Sequence, residues 1–357
     1  MTDLKIFAKS IEPEALDQVM TLLRQEAFQH CKVRIMPDVH VGKGCVIGFT
    51  ADLGDKVIPN IVGVDIGCGM LTIALDRAEI NFAALDRLIR EKIPFGRNVH
   101  KKPSTSFDAL KELHCLSALK ERARFEKSIG TLGGGNHFIE VDEDEEGNYY
   151  LIIHTGSRNL GKQVADYYQK KAIERLQDKN ALPRELCYLE GDDREAYLHD
   201  MLLCQCFASV NRAAIAEVIM HHFSFKEVRR FETIHNYIDL TDNIVRKGAI
   251  SAKEGELLLI PINMRDGCIL GVGRGNTDWN CSAPHGAGRI LSRTKAKEQL
   301  NIEEYERAMQ GIYTTSLSKK TLDEAPMAYK NLNEIVSQVA DTIEVLTILK
   351  PVFNFKA

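Results

Sequence analysis

Apolar residues recur along this chain in two periods, about 3.6 residues and 2 residues, and the switches between them mark out its elements. Residues 14–29 carry an amphipathic pattern that predicts a first helix. Short β-rich runs follow at 33–36, 45–49 and 71–74, separated by Gly and Asp turns. Helical spacing returns at 81–91 and 107–128. Two strand patterns, 138–141 and 149–154, flank the acidic stretch 142–148 and predict a hairpin. His137 would begin that hairpin and His154 end it, so antiparallel pairing would bring both rings to one end of a sheet. Further on, 161–177 reads as a helix and 194–222 as a long, mostly buried one. Strand patterns occupy 231–236, 257–261 and 268–272, and helices are predicted at 302–310 and 333–348. No repeat or linker interrupts the run, and the unusual residues are spread from Asp38 to Lys356. The expectation is an α+β fold, a single intertwined domain over residues 1–357 rather than two modules.

Composition narrows the class. With 357 residues, 44% hydrophobic and 27% charged, the chain can bury a large core and is not a disordered polymer. The longest charge-free apolar segment, 201–211, is closed off by Asp200 and Arg212, well short of a membrane span, so no membrane partner is expected. The opening residues lead into a mixed polar helix rather than the apolar core of a secretory signal. Nine cysteines without a CxxC pair argue for reduced thiols and a cytoplasmic setting. A net charge of -4 offers no general attraction to polyanions, so such a partner would need a local basic patch. Lys43, Arg158, Arg274, Arg289 and Arg293 flank the motifs described next.

Two glycine-rich stretches, Met36-Pro-Asp38-Val-His40-Val-Gly-Lys43-Gly44 and Gly63-Val-Asp65-Ile-Gly-Cys68-Gly69, hold acids, a histidine and a thiol where core packing has no use for them. Asp65 and Cys68 lie three apart in such a turn, which lets a carboxylate oxygen and a thiolate sulfur face one point. Alone, that pair is better read as a type II turn with a buried cysteine. His137, His154 and His235 change the balance, because each stands at a predicted strand–turn junction beside Asn, Gly or Ser. One carboxylate, one thiolate and three imidazoles suit a two-ion cluster bridged by the sulfur. The remaining histidines at 30, 100, 114, 199, 221 and 222 are assigned to packing or surface.

His285 differs, since Gly286, Ala287 and Gly288 follow it and Arg289 supplies charge, an arrangement open to a phosphate. A neutral imidazole is a competent nucleophile if its other nitrogen is held, by Asp38 or by a carbonyl. The same stretch also reads as a helix start after Pro284. There is no GxxxxGK[ST] loop, Gly271-Val-Gly273-Arg-Gly275 lacks the spacing of a dinucleotide fingerprint, and no Lys-x-Asp-Gly occurs.

In order along the chain, MPDVHVGKG, GVDIGCGM, GGGNHFIEV, HTGSRNLG, HNY, RKGAISAKEGE, HGAGR and DEAPMAYK together resemble the RtcB family of RNA-splicing ligases, over nearly the whole length. The resemblance implies mixed and antiparallel sheets around a deep metal-containing cleft, with helices outside. It implies a GTP-dependent RNA ligase holding two Mn²⁺ ions, which joins an RNA 2′,3′-cyclic phosphate or 3′-phosphate end to a 5′-hydroxyl end through a guanylyl-histidine. Asp65, Cys68, His137, His154 and His235 match the family's metal ligands, His285 the guanylylated histidine and Asp38 the acid that orients it. Asn136, Phe138, Glu140, Asn236, Asn263, Met264, Cys268, Gly286, Ala287, Gly288 and Lys356 fall where the family contacts its guanine nucleotide. Lys43, Arg158, Arg289 and Arg293 are the cations expected to meet RNA, and an archease-like activator is a further implied partner. Pro261-Ile-Asn-Met264 and Cys268 replace the usual Pro-Gly-Ser-Met and a later serine, and Ala283-Pro284 precede His285, departures that imply a short, divergent bacterial-type branch used in RNA splicing or repair. The competing readings are a metal-dependent phosphoesterase, which needs the ions but no nucleophilic histidine, and a non-catalytic RNA-binding paralogue.

Overall fold

The computed structural model describes residues 3–76, 79–175 and 182–356. The chain opens with β1 (Asp3–Ile6), α1 (Pro13–Leu23), β2 (Lys32–His40), β3 (Ile47–Asp52), β4 (Gly69–Leu75) and α2 (Phe82–Lys92). Its middle contains α3 (Ala123–Lys127), β5 (Phe138–Glu143), β6 (Tyr149–Thr155), α4 (Arg158–Arg175), α5 (Gly191–Phe223), β7 (Glu227–Ile234), β8 (Asn236–Asp239) and β9 (Ile244–Lys247). It closes with β10 (Ala249–Ser251), β11 (Leu257–Asn263), β12 (Gly267–Gly273), β13 (Ser282–Pro284), α6 (Arg293–Gln299), α7 (Ile302–Ala308), α8 (Leu332–Val339) and β14 (Ile343–Lys356).

Among the described residues these strands form a five-stranded sheet ordered β1-β2-β3-β9-β8, a β10-β13 pair, and a seven-stranded sheet ordered β11-β12-β14-β5-β6-β4-β7. Apart from the parallel β1–β2 ladder, the named strands pair antiparallel, giving the α+β class expected. The large sheet curls until its edges approach, and the Leu259 N–H on β11 donates to Thr233 Oγ1 on β7 at 3.1 Å.

Two segments depart from the pattern read in the sequence. Residues 107–128, expected as a helix, form two 3₁₀ turns (Asp108–Glu112 and Leu116–Ala118) and the one-turn α3. The buried Asp200 carboxylate accepts the backbone N–H of His114 at 2.8 Å and of Cys115 at 3.0 Å, so two donors of an i→i−4 ladder are diverted across the fold. The helix expected at 333–348 stops at Val339, and Ile343–Leu349 opens β14 instead. Its first half pairs with β12 and its second with β5, so this 14-residue strand joins two parts of the sheet. The run Ile343-Glu-Val-Leu-Thr-Ile, rich in β-branched residues, satisfies its backbone groups through that pairing, which outweighs the local helical pattern. The first helix ends at Leu23 rather than at 29, with a 3₁₀ turn at Glu26–Phe28. The helix predicted at 161–177 starts earlier, at Arg158, and positions 176 and 177 lie outside the described residues.

Helix α5 is the spine. By length and hydropathy it could cross a membrane, yet Asp200, Asn211 and Arg212 on it are wholly buried within the fold. Its first half contributes Tyr197, Met201, Cys204 and Phe207 to a core shared with α1, β2, β3 and α4. Its second half contributes Ile215, Ala216 and Ile219 to a core against α2 and the large sheet. Arg212 donates to the carbonyls of Gly67 at 2.8 Å and Thr155 at 2.9 Å while pairing with Glu232 at 2.9 Å. Arg212→Ala would strand both carbonyls and the carboxylate, so we expect a loss of about 3–5 kcal/mol in urea unfolding. Glu232→Gln, whose side chain is partly exposed, should cost clearly less; equal effects would remove Arg212 from this central role.

Candidate active site

Four neighbouring strands of the large sheet, β5, β6, β4 and β7, alternate in direction. The residue before β5 is His137, the penultimate residue of β6 is His154, the residue before β4 is Cys68, and the residue after β7 is His235. Antiparallel pairing therefore delivers all four to one end of the sheet, as the hairpin reading required for the first two. Phe138 pairs with His154, Met70 with His154, and Gly69 with Ile234. The His235 N–H donates to the Cys68 carbonyl at 2.9 Å, tying the last of the four to the turn that holds the thiol.

Cys68 Sγ stands 3.5 Å from His137 Nε2 and 3.4 Å from His154 Nε2. His137 Nε2 lies 3.0 Å from Asp65 Oδ2, and His154 Nε2 lies 3.1 Å from His235 Nε2. Two donor sets result, Asp65–Cys68–His137 and Cys68–His154–His235, each with ligand atoms within 4.8 Å of one another and with Cys68 in both. Gly156 sits where any side chain would collide with the Asp65 carboxylate.

The proton inventory shows what this arrangement lacks. His137 Nδ1–H donates to the Leu132 carbonyl at 2.9 Å and His154 Nδ1–H to the Asn136 carbonyl at 3.1 Å. Their Nε2 atoms face a carboxylate, a sulfur and another imidazole. Asp65 Oδ1 and His235 Nδ1 are buried without a partner. A carboxylate, a thiol and three imidazoles thus converge on one small buried space with bonding capacity unused, so the residues present fit a metal pair. Burial, with the charge of Asp65 next, pushes the Cys68 thiol well above its ordinary value. Burial also drives His154 and His235 well below theirs, keeping both imidazoles neutral as ligands must be.

Two other groupings of potential ligands are less suited. Asp200, beside His114 and His199, already accepts from two backbone N–H groups and from Tyr168 Oη, besides its contact with His199. Glu140, Asp142 and Cys268 are buried inside the curled sheet, where burial raises both carboxyls and favours a proton shared within the pair.

Next to the donor sets, the His285 ring lies 4.9 Å from that of His235. It follows β13, whose pairing with β10 sets its position. Asp38 comes from β2, at a point where the ladder to β3 jumps from Ile35 to His40 and the strand bends. Its Oδ2 accepts both from His285 Nδ1 at 2.6 Å and from the His285 backbone N–H at 3.2 Å. Asp38 is wholly buried, whereas the His285 side chain is 20% exposed. Gly288, at φ +74°, lets the loop close down on this strand: a Cβ there would come within 2.6 Å of the Asp38 carbonyl.

A cavity of about 200 Å³ opens over His285, lined by Asn136, Phe138, His154, His235, residues 261–264, residues 285–289, Arg293 and Lys356, among others. Of the expected nucleotide contacts, Asn136, Phe138, Asn263, Met264, Gly286, Ala287, Gly288 and Lys356 thus share one space. Glu140 and Cys268 lie deeper inside the sheet, and Asn236 braces the Asp65 and Gly248 turns. Arg289 and Arg293 line the cavity in contact with Asp323 and Glu324. Arg158 turns inward to Thr131 Oγ1 and the Gly96 carbonyl, and Lys43 stands exposed on the turn after β2.

Four site residues had no role assigned from sequence. Glu324 gathers Lys356 at 2.6 Å, Arg293 at 2.6 Å and Tyr329 Oη at 2.8 Å. Burial opposes its charge, yet Lys356 and Arg293 hold the carboxyl down at about 2. His40 hydrogen-bonds the Asp38 carbonyl, and Lys330 the Pro37 carbonyl. Two of the quoted blocks, MPDVHVGKG and DEAPMAYK, contain all four residues, so the signal was present without the partners.

A model of the tRNA-splicing ligase RtcB family matches residues 18–120 and 110–357. The chain belongs to the RtcB family. RNA-splicing ligase RtcB of Escherichia coli (strain K12) is 33% identical, covering 97% of this chain and 95% of its own. The tRNA-splicing ligases RtcB of Nanoarchaeum equitans and Aeropyrum pernix are 29% and 28% identical, over 85% and 95% of this chain and 83% and 91% of theirs.

If Cys68 serves both donor sets, Cys68→Ala should lose both ions by elemental analysis, while His235→Ala retains one. Metal should raise the thermal midpoint of the unaltered chain and leave that of Cys68→Ala in place. Two ions still bound to Cys68→Ala would refute the shared thiolate.

Proposed function

We propose that this RtcB-family chain is an RNA ligase that joins a 2′,3′-cyclic phosphate or 3′-phosphate end to a 5′-hydroxyl end, with GTP as guanylyl donor and two Mn²⁺ ions as cofactors. The observation that carries this reading is the His285–Asp38 pair beside the donor sets. With Nδ1–H held by a buried carboxylate, the Nε2 lone pair is left free toward the cavity, the form a nucleophilic imidazole requires. A metal-dependent phosphoesterase needs the ions but no nucleophilic histidine, so covalent labelling of His285 is what separates the two readings.

His285 Nε2 attacks the α-phosphorus of GTP; the N–P bond forms as the bond to pyrophosphate breaks. Asp38 stabilises the charge that the imidazole gains and keeps the ring from rotating. Bound at Asp65, Cys68, His137, His154 and His235, the metal ions would supply neutralisation of phosphate charge. Lys356, whose ammonium lies 5.7 Å from the Phe138 ring centroid, offers a cation in the same cavity as His285, and Glu324 fixes its position. A cyclic phosphate is first hydrolysed to a 3′-phosphate. That 3′-phosphate takes the guanylyl group from His285, and the 5′-hydroxyl oxygen then attacks its phosphorus with release of GMP. GTP is needed because a phosphate monoester has no good leaving group until it is so activated.

Incubation with α-labelled GTP and Mn²⁺ should label the chain covalently, with His285→Ala unlabelled. Asp38→Asn should label more slowly by about 10²–10⁴-fold, the range for a positioned acid–base partner. Labelling of His285→Ala at the normal rate would end this reading.

A further inference from the structure

A groove with a cavity of about 1180 Å³ lies apart from the nucleotide cavity, between α4 and the segments 96–99 and 118–128. Seven basic side chains and three carboxylates line it, an excess of positive charge on a chain whose net charge is -4. Some of that charge is internally balanced: Lys162 pairs with Asp166, Lys170 with Glu174 at 3.6 Å, and Arg124 with Glu121 at 3.9 Å. The side chains of Arg97 and Lys120 are exposed and, among the described residues, have no hydrogen-bond or ion-pair partner. The Lys120 backbone is nevertheless fixed, because its N–H donates to Gln163 Oε1 on α4 at 2.7 Å.

The groove has direction as well as charge. Its α4 wall runs from Arg158 to Glu174, about 24 Å at the rise of a helix. Tyr167 lies part-way along, half-buried, with Lys171 Nζ 6.0 Å from its ring centroid. At its inner end Arg158, a non-glycine residue at φ +58°, bonds the Gly96 carbonyl at 3.1 Å. Arg158 follows Gly156 by two residues, and Gly156 packs directly against the Asp65 carboxylate, so the groove leads to the metal-donor end of the sheet.

We infer that this groove holds the single-stranded RNA whose end reacts at the metal donors, with Arg97 and Lys120 on its phosphates and Arg158 at its reactive end. The inference rests on the ligase reading for the identity of the strand, not for the groove itself. It places the principal RNA contacts on α4 and the facing segments, away from Arg289 and Arg293, which Asp323 and Glu324 already occupy.

The full chain with Mn²⁺ should bind a fluorescent single-stranded RNA with an affinity that falls as salt rises. Arg97→Glu with Lys120→Glu should weaken binding and make the log–log salt slope shallower by about 1.4, two contacts at roughly 0.7 each. GTP labelling of His285 should keep its normal rate. Lys162→Gln with Lys170→Gln, a milder pair on α4, should shift the slope in the same direction. A control on the exposed end of β7, Lys226→Glu with Arg229→Glu, should leave it unchanged. Unaltered RNA affinity in both groove variants overturns the inference, and so does an equal loss in the control. Weakened RNA binding in the groove variants of a chain that takes no GTP label would sink the ligase reading and leave the groove standing.

Discussion

The buried guanidinium of Arg212 is the contact on which the geometry of the site depends. A charge at the centre of a long apolar helix is costly to desolvate, and it is tolerable only when every N–H finds an acceptor. Here the acceptors are the carbonyls of Gly67 and Thr155 and the Glu232 carboxylate. Gly67 belongs to the turn that presents Asp65 and Cys68, and Thr155 follows His154. Asn211, one residue earlier, accepts from the N–H groups of Gly130 and Thr131 and donates to the Gly156 carbonyl. One turn of α5 therefore braces three loops that surround the metal donors, with no ligand of its own.

The donor sets and His285 lie in different parts of the fold. Cys68, His137 and His235 flank strands of the large sheet and His154 lies in one, while Asp38 belongs to the five-stranded sheet and His285 follows β13. Their meeting point is the crossing from β7 to β8, where His235 bonds the Cys68 turn and Gly248 N–H bonds the His235 carbonyl at 2.7 Å. A shift between the sheets would separate His285 from the donors, so the packing of two cores is part of the chemistry. The nine cysteines are consistent with this division of labour: all are free, and Cys68 alone stands between two sets of potential metal ligands that include histidine side chains on both sides.

Two charge systems meet near the site without merging. Inside the cavity over His285, Glu324 and Asp323 engage Arg289, Arg293 and Lys356, holding these cations in place. In the groove beside α4, the side chains of Arg97 and Lys120 have no hydrogen-bond or ion-pair partner among the described residues. A preorganised, internally paired set suits a ligand that must be held in one orientation, whereas mobile, solvated cations suit a strand recognised by its backbone.

Much of the site was legible in the sequence because its residues are chemically odd where they stand. Asp38, Asp65, Cys68, the three histidines and His285 occupy glycine-framed turns or strand ends, and the structure brings all of them to one place. The hairpin from His137 to His154 was readable because a period of 2 and an intervening turn encode local pairing. What stayed hidden involved long-range partners. Residues 107–128 carry a helical period, but Asp200 takes two of their N–H groups; residues 343–349 read as helix until β12 offers a ladder. Glu324 and Lys356 gave no hint that they pair across 32 residues, nor Arg158 that it would turn inward, nor Arg293 that it would pair with Asp323 and Glu324. A periodicity records which face of an element is apolar. Which polar atoms that face will meet is decided by tertiary packing, since desolvation makes each buried donor and acceptor find a partner wherever the fold supplies one.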